Sequence, residues 1–162
     1  MASILIIEDD IHVAGLLRSH FSDEGYQVSV VHRGEEGLAA ALKATPDLIL
    51  LDVILPDATG FQMCNQFRRT AATQAVPIIV MTGVARFPNQ QAFAMERGAN
   101  EYVLKPFKIL EMGELVDKYI GSKRTQPKTS KPLPAPSPET AVGDLSELQN
   151  FLKQAIQKSK YE

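Results

Sequence analysis

Three carboxylates in a row, Glu8, Asp9 and Asp10, directly follow the apolar run SILII, and a fourth, Asp52, closes the run LILLD. Farther along, Thr82 follows PIIVM and Lys105 follows EYVL. Carboxylates brought together repel and raise one another's pKa, so a converged set asks for a cation. Mg²⁺ fits this donor set, because it takes oxygen ligands, keeps several waters and usually binds one or two carboxylates together with phosphate oxygens. Asp52, emerging from an apolar stretch, would be the enclosed member and the natural nucleophile toward a phosphoryl donor. A phosphoryl group carries roughly two negative charges and three strong acceptor oxygens, which a Thr82 hydroxyl and a Lys105 ammonium could meet. Taken singly these residues are ordinary: an Asp after a strand is usually a helix cap, and a Lys before Pro usually sits in a solvated turn. What is specific is their order at the ends of four strands.

For such groups to meet, the strands must lie parallel, since in an open α/β sheet functional side chains collect just beyond the carboxyl ends of the strands. Residues 1–120 alternate strands with amphipathic helices, which implies an α/β fold, a doubly wound five-stranded parallel sheet with helices on both faces. The strands are expected at 3–7, 27–31, 48–53, 78–81 and 101–104. The first, third and fourth are nearly unbroken apolar runs, as central strands covered on both faces should be, whereas the second and fifth are mixed and suit sheet edges. Helices are expected at 11–23, 35–43, 60–69, 89–97 and 109–120, with Gly25 and Gly98 as terminators and Pro46, Pro77 and Pro88 as punctuation. Phe61, Cys64 and Phe67 share a helical face, so Cys64 reads as a small buried apolar residue rather than a reactive thiol. His12, His20 and His32 are spaced neither as metal ligands nor as phosphodonors and read as helix and loop surface.

Composition narrows the possibilities. A chain of 162 residues with 44% hydrophobic residues suits one ordinary domain with something appended. From the single cysteine, the absence of a long apolar run and the early acidic residues, a cytoplasmic protein is expected, with neither a membrane span nor a signal peptide. Residues 1–120 hold 10 basic and 15 acidic side chains, against 7 and 4 in residues 121–162, and the acidic body argues against a large nucleic-acid surface. Residues 121–143 contain five prolines and read as a flexible linker. In residues 144–162, Asp144 and Glu147 have the spacing of a capping box, and Leu145, Leu148, Leu152 and Ile156 form an apolar stripe. A helix this short is marginal alone in water, so it should fold only when docked, on a partner or on its own domain.

The segments ILIIEDD, PDLILLDVILPDATG, PIIVMTG and GANEYVLKPF together resemble the receiver domain of two-component response regulators, the CheY-like family, over residues 2 to about 120. The resemblance implies the flavodoxin-like strand order 2-1-3-4-5. It further implies that Glu8 and Asp9 hold Mg²⁺ with Asp52 and the Ile54 backbone carbonyl, that Asp52 is the phosphoacceptor, and that Lys105 completes the catalytic set. Asp10 is a third candidate for the acidic pair; the family pattern favours Glu8 and Asp9, leaving Asp10 at the helix start where its charge meets the positive dipole end. Thr82 would be the switch hydroxyl, Tyr102 the switch aromatic, and the Lys105-Pro106 bond would be cis. The function implied is a phosphorylation-dependent signalling switch. A histidine kinase or a small acyl phosphate would phosphorylate Asp52, and a downstream protein would bind either the face formed by the fourth helix, fifth strand and fifth helix or the C-terminal helix. Such a protein is not an enzyme beyond its own phosphorylation and slow dephosphorylation. The alternative is a phosphorelay intermediate that passes the group to another protein's histidine.

The 42 residues after Ile120 show one helical pattern and no glycine-containing turn to a second, so no DNA-binding output is expected from them, and no membrane association either. Gly83, Val84, Ala85, Arg86, Phe87 and Pro88 form a less polar run than is common after the switch hydroxyl. With Ile54 and Val84 both apolar, a hydrolytic water would lack a hydrogen-bonding guide near Asp52, and self-dephosphorylation should be slow. Measured phosphoryl lifetimes check this: Val84→Glu should shorten a long wild-type half-life, whereas a half-life of seconds unchanged by the substitution would contradict it.

Overall fold

The computed structural model describes residues 2–83 and 89–123. Val84, the expected linker beyond residue 123 and the expected helix at 144–162 lie outside the described residues. Ten regular elements alternate: β1 (Ser3–Ile7), α1 (Ile11–Asp23), β2 (Gln27–Val31), α2 (Gly34–Lys43), β3 (Leu48–Asp52), α3 (Gly60–Arg69), β4 (Ile78–Thr82), α4 (Gln90–Glu96), β5 (Glu101–Leu104) and α5 (Ile109–Ile120). A 3₁₀ turn at Gly121–Lys123 continues α5 into the first residues of the expected linker. The other departures from expectation are of one residue: β3 stops at Asp52, β4 extends to Thr82, α2 starts at Gly34, and α4 is shorter by one residue at each end. The Lys105-Pro106 bond is cis.

All five strands are parallel, in the order β2-β1-β3-β4-β5. This is the flavodoxin-like, doubly wound arrangement, with β1 and β3 side by side where the winding reverses. The unbroken apolar runs divide by alternation. Leu5, Ile7, Ile49, Leu51, Ile78 and Val80 face one layer with Met63, Cys64, Phe67 and Ala94, while Ile4, Ile6, Leu48, Leu50, Ile79 and Met81 face the other with Leu17, Phe21, Met112, Val116 and Ile120. Successive strand residues point to opposite faces, so only a run apolar at every position can fill both layers. β1, β3 and β4 are almost wholly buried, while β2 and β5, at the edges, are partly exposed.

Two registers position the strand ends. Ile7 lies opposite Leu51, which puts Glu8 beside Asp52. Asp52 pairs with Met81 and Thr82 with Leu104, so Thr82 and Lys105 extend from the same edge. Gly25 and Gly98, with φ of 92° and 102°, make the turns after α1 and α4 in the left-handed region that side chains disfavour.

The opposite edge is tied by one side chain. Arg68 at the end of α3 donates to the carbonyls of Gly98 (2.9 Å), Gln74 (3.1 Å) and Val76 (2.6 Å) and to the Asn100 Oδ1 (2.8 Å). The same Asn100 oxygen accepts from the Ile78 N–H at 2.9 Å. A guanidinium satisfies four groups in two loops here because its donors fork in a plane. Arg68→Met should therefore lower the unfolding free energy by about 2–3 kcal/mol, since carbonyls left without a donor cost about 1–3 kcal/mol where they are buried; the urea midpoint of the full chain checks this.

Candidate functional site

At the carboxyl edge of the sheet, Glu8 leaves β1 wholly buried and Asp52 ends β3 almost so, while Asp9 is exposed. Carboxylate oxygens of all three lie within 4.8 Å of one another. Lys105, just past β5, reaches across β4 to place its Nζ 2.6 Å from Glu8 Oε2 and 3.4 Å from Asp52 Oδ2. Thr82 is 1% exposed at the end of β4, and its carbonyl accepts from the Lys105 N–H at 2.7 Å. The five groups singled out from the sequence thus line one edge, within two residues of a strand end.

Asp10 separates from the cluster. Its Oδ1 accepts from the N–H groups of His12 (2.9 Å) and Val13 (3.3 Å), capping α1. That carboxylate is committed to the helix start, which leaves Glu8 and Asp9 as the pair that faces Asp52. Ile54 stands in the loop after β3, its N–H 3.4 Å from Asp52 Oδ1 and its side chain about half exposed. A Cβ on Gly60 would lie 2.5 Å from the Asp52 carbonyl oxygen and 2.9 Å from Val53 Cα. Only glycine lets the start of α3 pass this close behind the end of β3.

The electrostatics follow from burial. Desolvation pushes the Glu8 carboxyl up to about 8, with the Asp52 charge adding to it and Lys105 opposing. Burial likewise raises Asp52, against the pull of Lys105. Burial pulls the Lys105 ammonium down, but Glu8 and Asp52 more than offset this and hold its pKa above the usual value. One ammonium thus faces two buried carboxylates with a third at the rim. That excess of negative charge, presented entirely on oxygen, fits a hard divalent cation. Cys64 behaves as expected from its helical face: it is buried, and desolvation pushes its thiol up to about 11.

Tyr102 on β5 is partly buried and donates its hydroxyl to Gln90 Oε1 at 2.8 Å, joining the edge strand to the start of α4. Two contributors here were not singled out from the sequence, Gln90 and Asp57, while His32, expected at the surface, is exposed in the loop after β2. A ring nitrogen of His32 lies 2.9 Å from the Glu8 carbonyl oxygen. Asp57 accepts from the N–H groups of Gly34 (2.8 Å) and Glu35 (2.9 Å), more than 20 residues away, which no local spacing reveals. Among the described residues no helix is long and apolar enough to cross a membrane.

Residues 4–117 match the family model of the response regulator receiver domain. The chain belongs to that family. It is 38% identical over 112 residues to the response regulator ArlR of Staphylococcus saprophyticus, a match covering 69% of this chain and 49% of the relative. It is 36% identical over 113 residues to the DNA-binding dual master transcriptional regulator RpaA of Synechocystis sp., covering 69% and 46%. The chain spans about half the length of these curated relatives. Because RpaA is named as DNA-binding, the family gives no support to the expectation of a regulator without DNA-binding output. Among solved structures, the receiver domain of the sensor histidine kinase PA1611 of Pseudomonas aeruginosa superposes with a TM-score of 0.68 at 28% identity, covering 74% of this chain and 98% of that one. That structure holds a magnesium ion coordinated in its active-site cleft.

Because folding raises the Asp52 pKa, its ionised form opposes folding. The effect is absent at pH values below the ordinary carboxylate pKa, grows as the pH rises from there to the raised folded value, and is fully present above it. Asp52→Asn should therefore raise the Tm of the metal-free protein by about 2–4 °C at pH 8, with the gain disappearing toward pH 4; thermal melts in a chelating buffer check both.

Proposed function

We propose that this receiver accepts a phosphoryl group on Asp52 from a histidine kinase or a small acyl phosphate, in a reaction dependent on Mg²⁺, and thereby changes its binding to a partner protein. The observation that carries the reading is the placement of the Asp52 carboxylate 3.4 Å from the Lys105 ammonium, beside Glu8 and Asp9. An Asp52 oxygen attacks phosphorus as the bond from phosphorus to the donor nitrogen or oxygen breaks, and the leaving group keeps that electron pair. Lys105 offsets the negative charge that gathers on the phosphoryl oxygens, and the Thr82 hydroxyl serves as a donor to one of them. Glu8, Asp9, Asp52 and the Ile54 carbonyl would hold Mg²⁺, which supplies further charge neutralisation when bound. The chain thus acts on itself rather than on a turnover substrate, and the cytoplasm is where a kinase and Mg²⁺ would reach it.

The output follows from the contact between Tyr102 and Gln90. A phosphoryl group that draws Thr82 toward Asp52 opens room for Tyr102 to turn. The ring must then give up the hydroxyl contact to Gln90, so α4 and β5 change together. Phosphorylation biases this equilibrium only by its different interaction with the two arrangements. The surface of α4, β5 and α5 presents Leu104 and Met95 as exposed apolar groups, which suits a protein partner, and the apolar stripe of residues 145–156 offers a second contact. The likeness to RpaA favours a second reading, in which DNA is the final output of the protein of which this receiver is part.

Incubation of the full chain with acetyl phosphate, followed by intact mass, tests the chemistry. The wild type should gain the mass of one phosphoryl group only when Mg²⁺ is present, and Asp52→Ala should gain none. An equal gain in Asp52→Ala, or none in the wild type, would overturn the reading.

A further inference from the structure

The loop between β3 and α3, residues 53–59, carries Ile54 and directly follows Asp52, so any cation held there depends on where this loop stands. Its stem is fixed by its own backbone. Gly60 N–H donates to the Val53 carbonyl at 2.7 Å, Leu55 N–H to the Ala58 carbonyl at 3.1 Å, and Ile54 bridges to Thr59. Val53 and Leu55 are buried on either side of an Ile54 whose side chain is 54% exposed, so Ile54 itself is not held by packing. The tip is fixed from outside. Both Asp57 oxygens are taken, Oδ1 by the Gly34 N–H at 2.8 Å and Oδ2 by the Glu35 N–H at 2.9 Å.

These two N–H groups belong to the first turn of α2, where no partner exists within the helix. The residue at the usual capping position is Arg33, whose side chain makes no capping bond and carries no acceptor. Asp57 therefore replaces a local cap with one from a different part of the chain. The substitution is possible because α2 starts on a glycine: a Cβ at Gly34 would lie 2.8 Å from Met63 Sδ and 3.2 Å from Ala58 Cβ. The first turn of α2 thereby lies flush against the loop and α3.

We propose that Asp57 is a positioning residue for the cation-binding set: by clamping the tip of the β3–α3 loop to the start of α2, it holds Ile54 in fixed relation to the Asp52 carboxylate. This rests on the reading of Glu8, Asp9, Asp52 and Ile54 as ligands of Mg²⁺. A cap that served helix stability alone would come from any nearby residue. This one comes from the loop whose second residue donates to the acceptor carboxylate, so loss of the clamp leaves a ligand-bearing loop held by its stem bonds alone. Partners one step removed from a metal typically change its affinity by about 10–100-fold when lost.

The test uses the full chain, Asp57→Ala and Asp57→Asn. Asparagine offers one carbonyl oxygen in place of two and still caps helices well. Titration calorimetry with MgCl₂, at a temperature where circular dichroism shows all three proteins folded, should give about tenfold weaker binding for Asp57→Ala and an intermediate value for Asp57→Asn. Amide exchange at Gly34 and Glu35 should rise in the same order. With acetyl phosphate, the Mg²⁺ concentration for half-maximal phosphorylation should move with the calorimetric affinity and by a larger factor than the maximal rate. Unchanged Mg²⁺ affinity in Asp57→Ala, despite faster exchange at Gly34 and Glu35, would reduce Asp57 to a helix cap and overturn the proposal. So would a wild type that binds no Mg²⁺. Should Asp57→Ala fail to fold, equal affinity in Asp57→Asn and wild type would overturn it as well. A wild type that binds Mg²⁺ and loses affinity in Asp57→Ala, yet is never phosphorylated on Asp52, would sink the phosphorylation reading while leaving Asp57 in its role.

Discussion

Two buried carboxylates facing one ammonium is the constraint around which the rest of this molecule is arranged. Glu8 and Asp52 each lose hydration on folding, and Lys105, close to both, cannot neutralise the pair. Desolvation of that kind costs several kcal/mol per ion unless geometry returns it. The apolar scaffold has to hold the three groups together against a force that would spread them. It does so by rooting them in β1, β3 and β5, strands whose relative positions are fixed by parallel hydrogen-bond ladders and two filled core layers.

The two edges of the sheet divide the labour. At the amino edge, polar groups are matched closely: Arg68 and Asn100 satisfy loop carbonyls and the Ile78 N–H, so the connections into β4 and β5 are held in place. At the carboxyl edge, charge is left unbalanced, with Glu8, Asp9, Asp52 and Lys105 gathered at or just beyond the strand ends. A structure that is saturated at one end and unbalanced at the other can change locally without unfolding, because the stable end does not depend on the charged one. Tyr102 sits between these regimes, anchored in β5 yet bound through its hydroxyl to α4.

Much of this was legible in the linear chain. The unbroken apolar runs at Ser3–Ile7 and Leu48–Asp52 mark strands buried on both faces, and the mixed run at Gln27–Val31 marks an edge, because burial on one face or two is written directly into the alternation. The site residues were legible for a related reason: each lies at the carboxyl end of a strand or within two residues of it, and parallel strands send all those ends to one side. Boundaries were less legible. Thr82 belongs to β4 because its backbone pairs with Leu104, a partner that local propensity does not contain. Asp10 could be read as ligand or cap until α1 was seen to use it.

By itself, then, the sequence determined the alternation of strands and helices, which runs are buried on both faces, and which residue types arrive at the functional edge, since all of these follow from local periodicity and from residue chemistry. Only the tertiary structure decided the bonds that cross from one element to another: Lys105 to Glu8 across 97 residues, Asp57 to the start of α2, and Tyr102 to Gln90. Such partners are chosen by strand order and by how closely helices pack. Both are set by the simultaneous filling of two core layers and not by any segment alone.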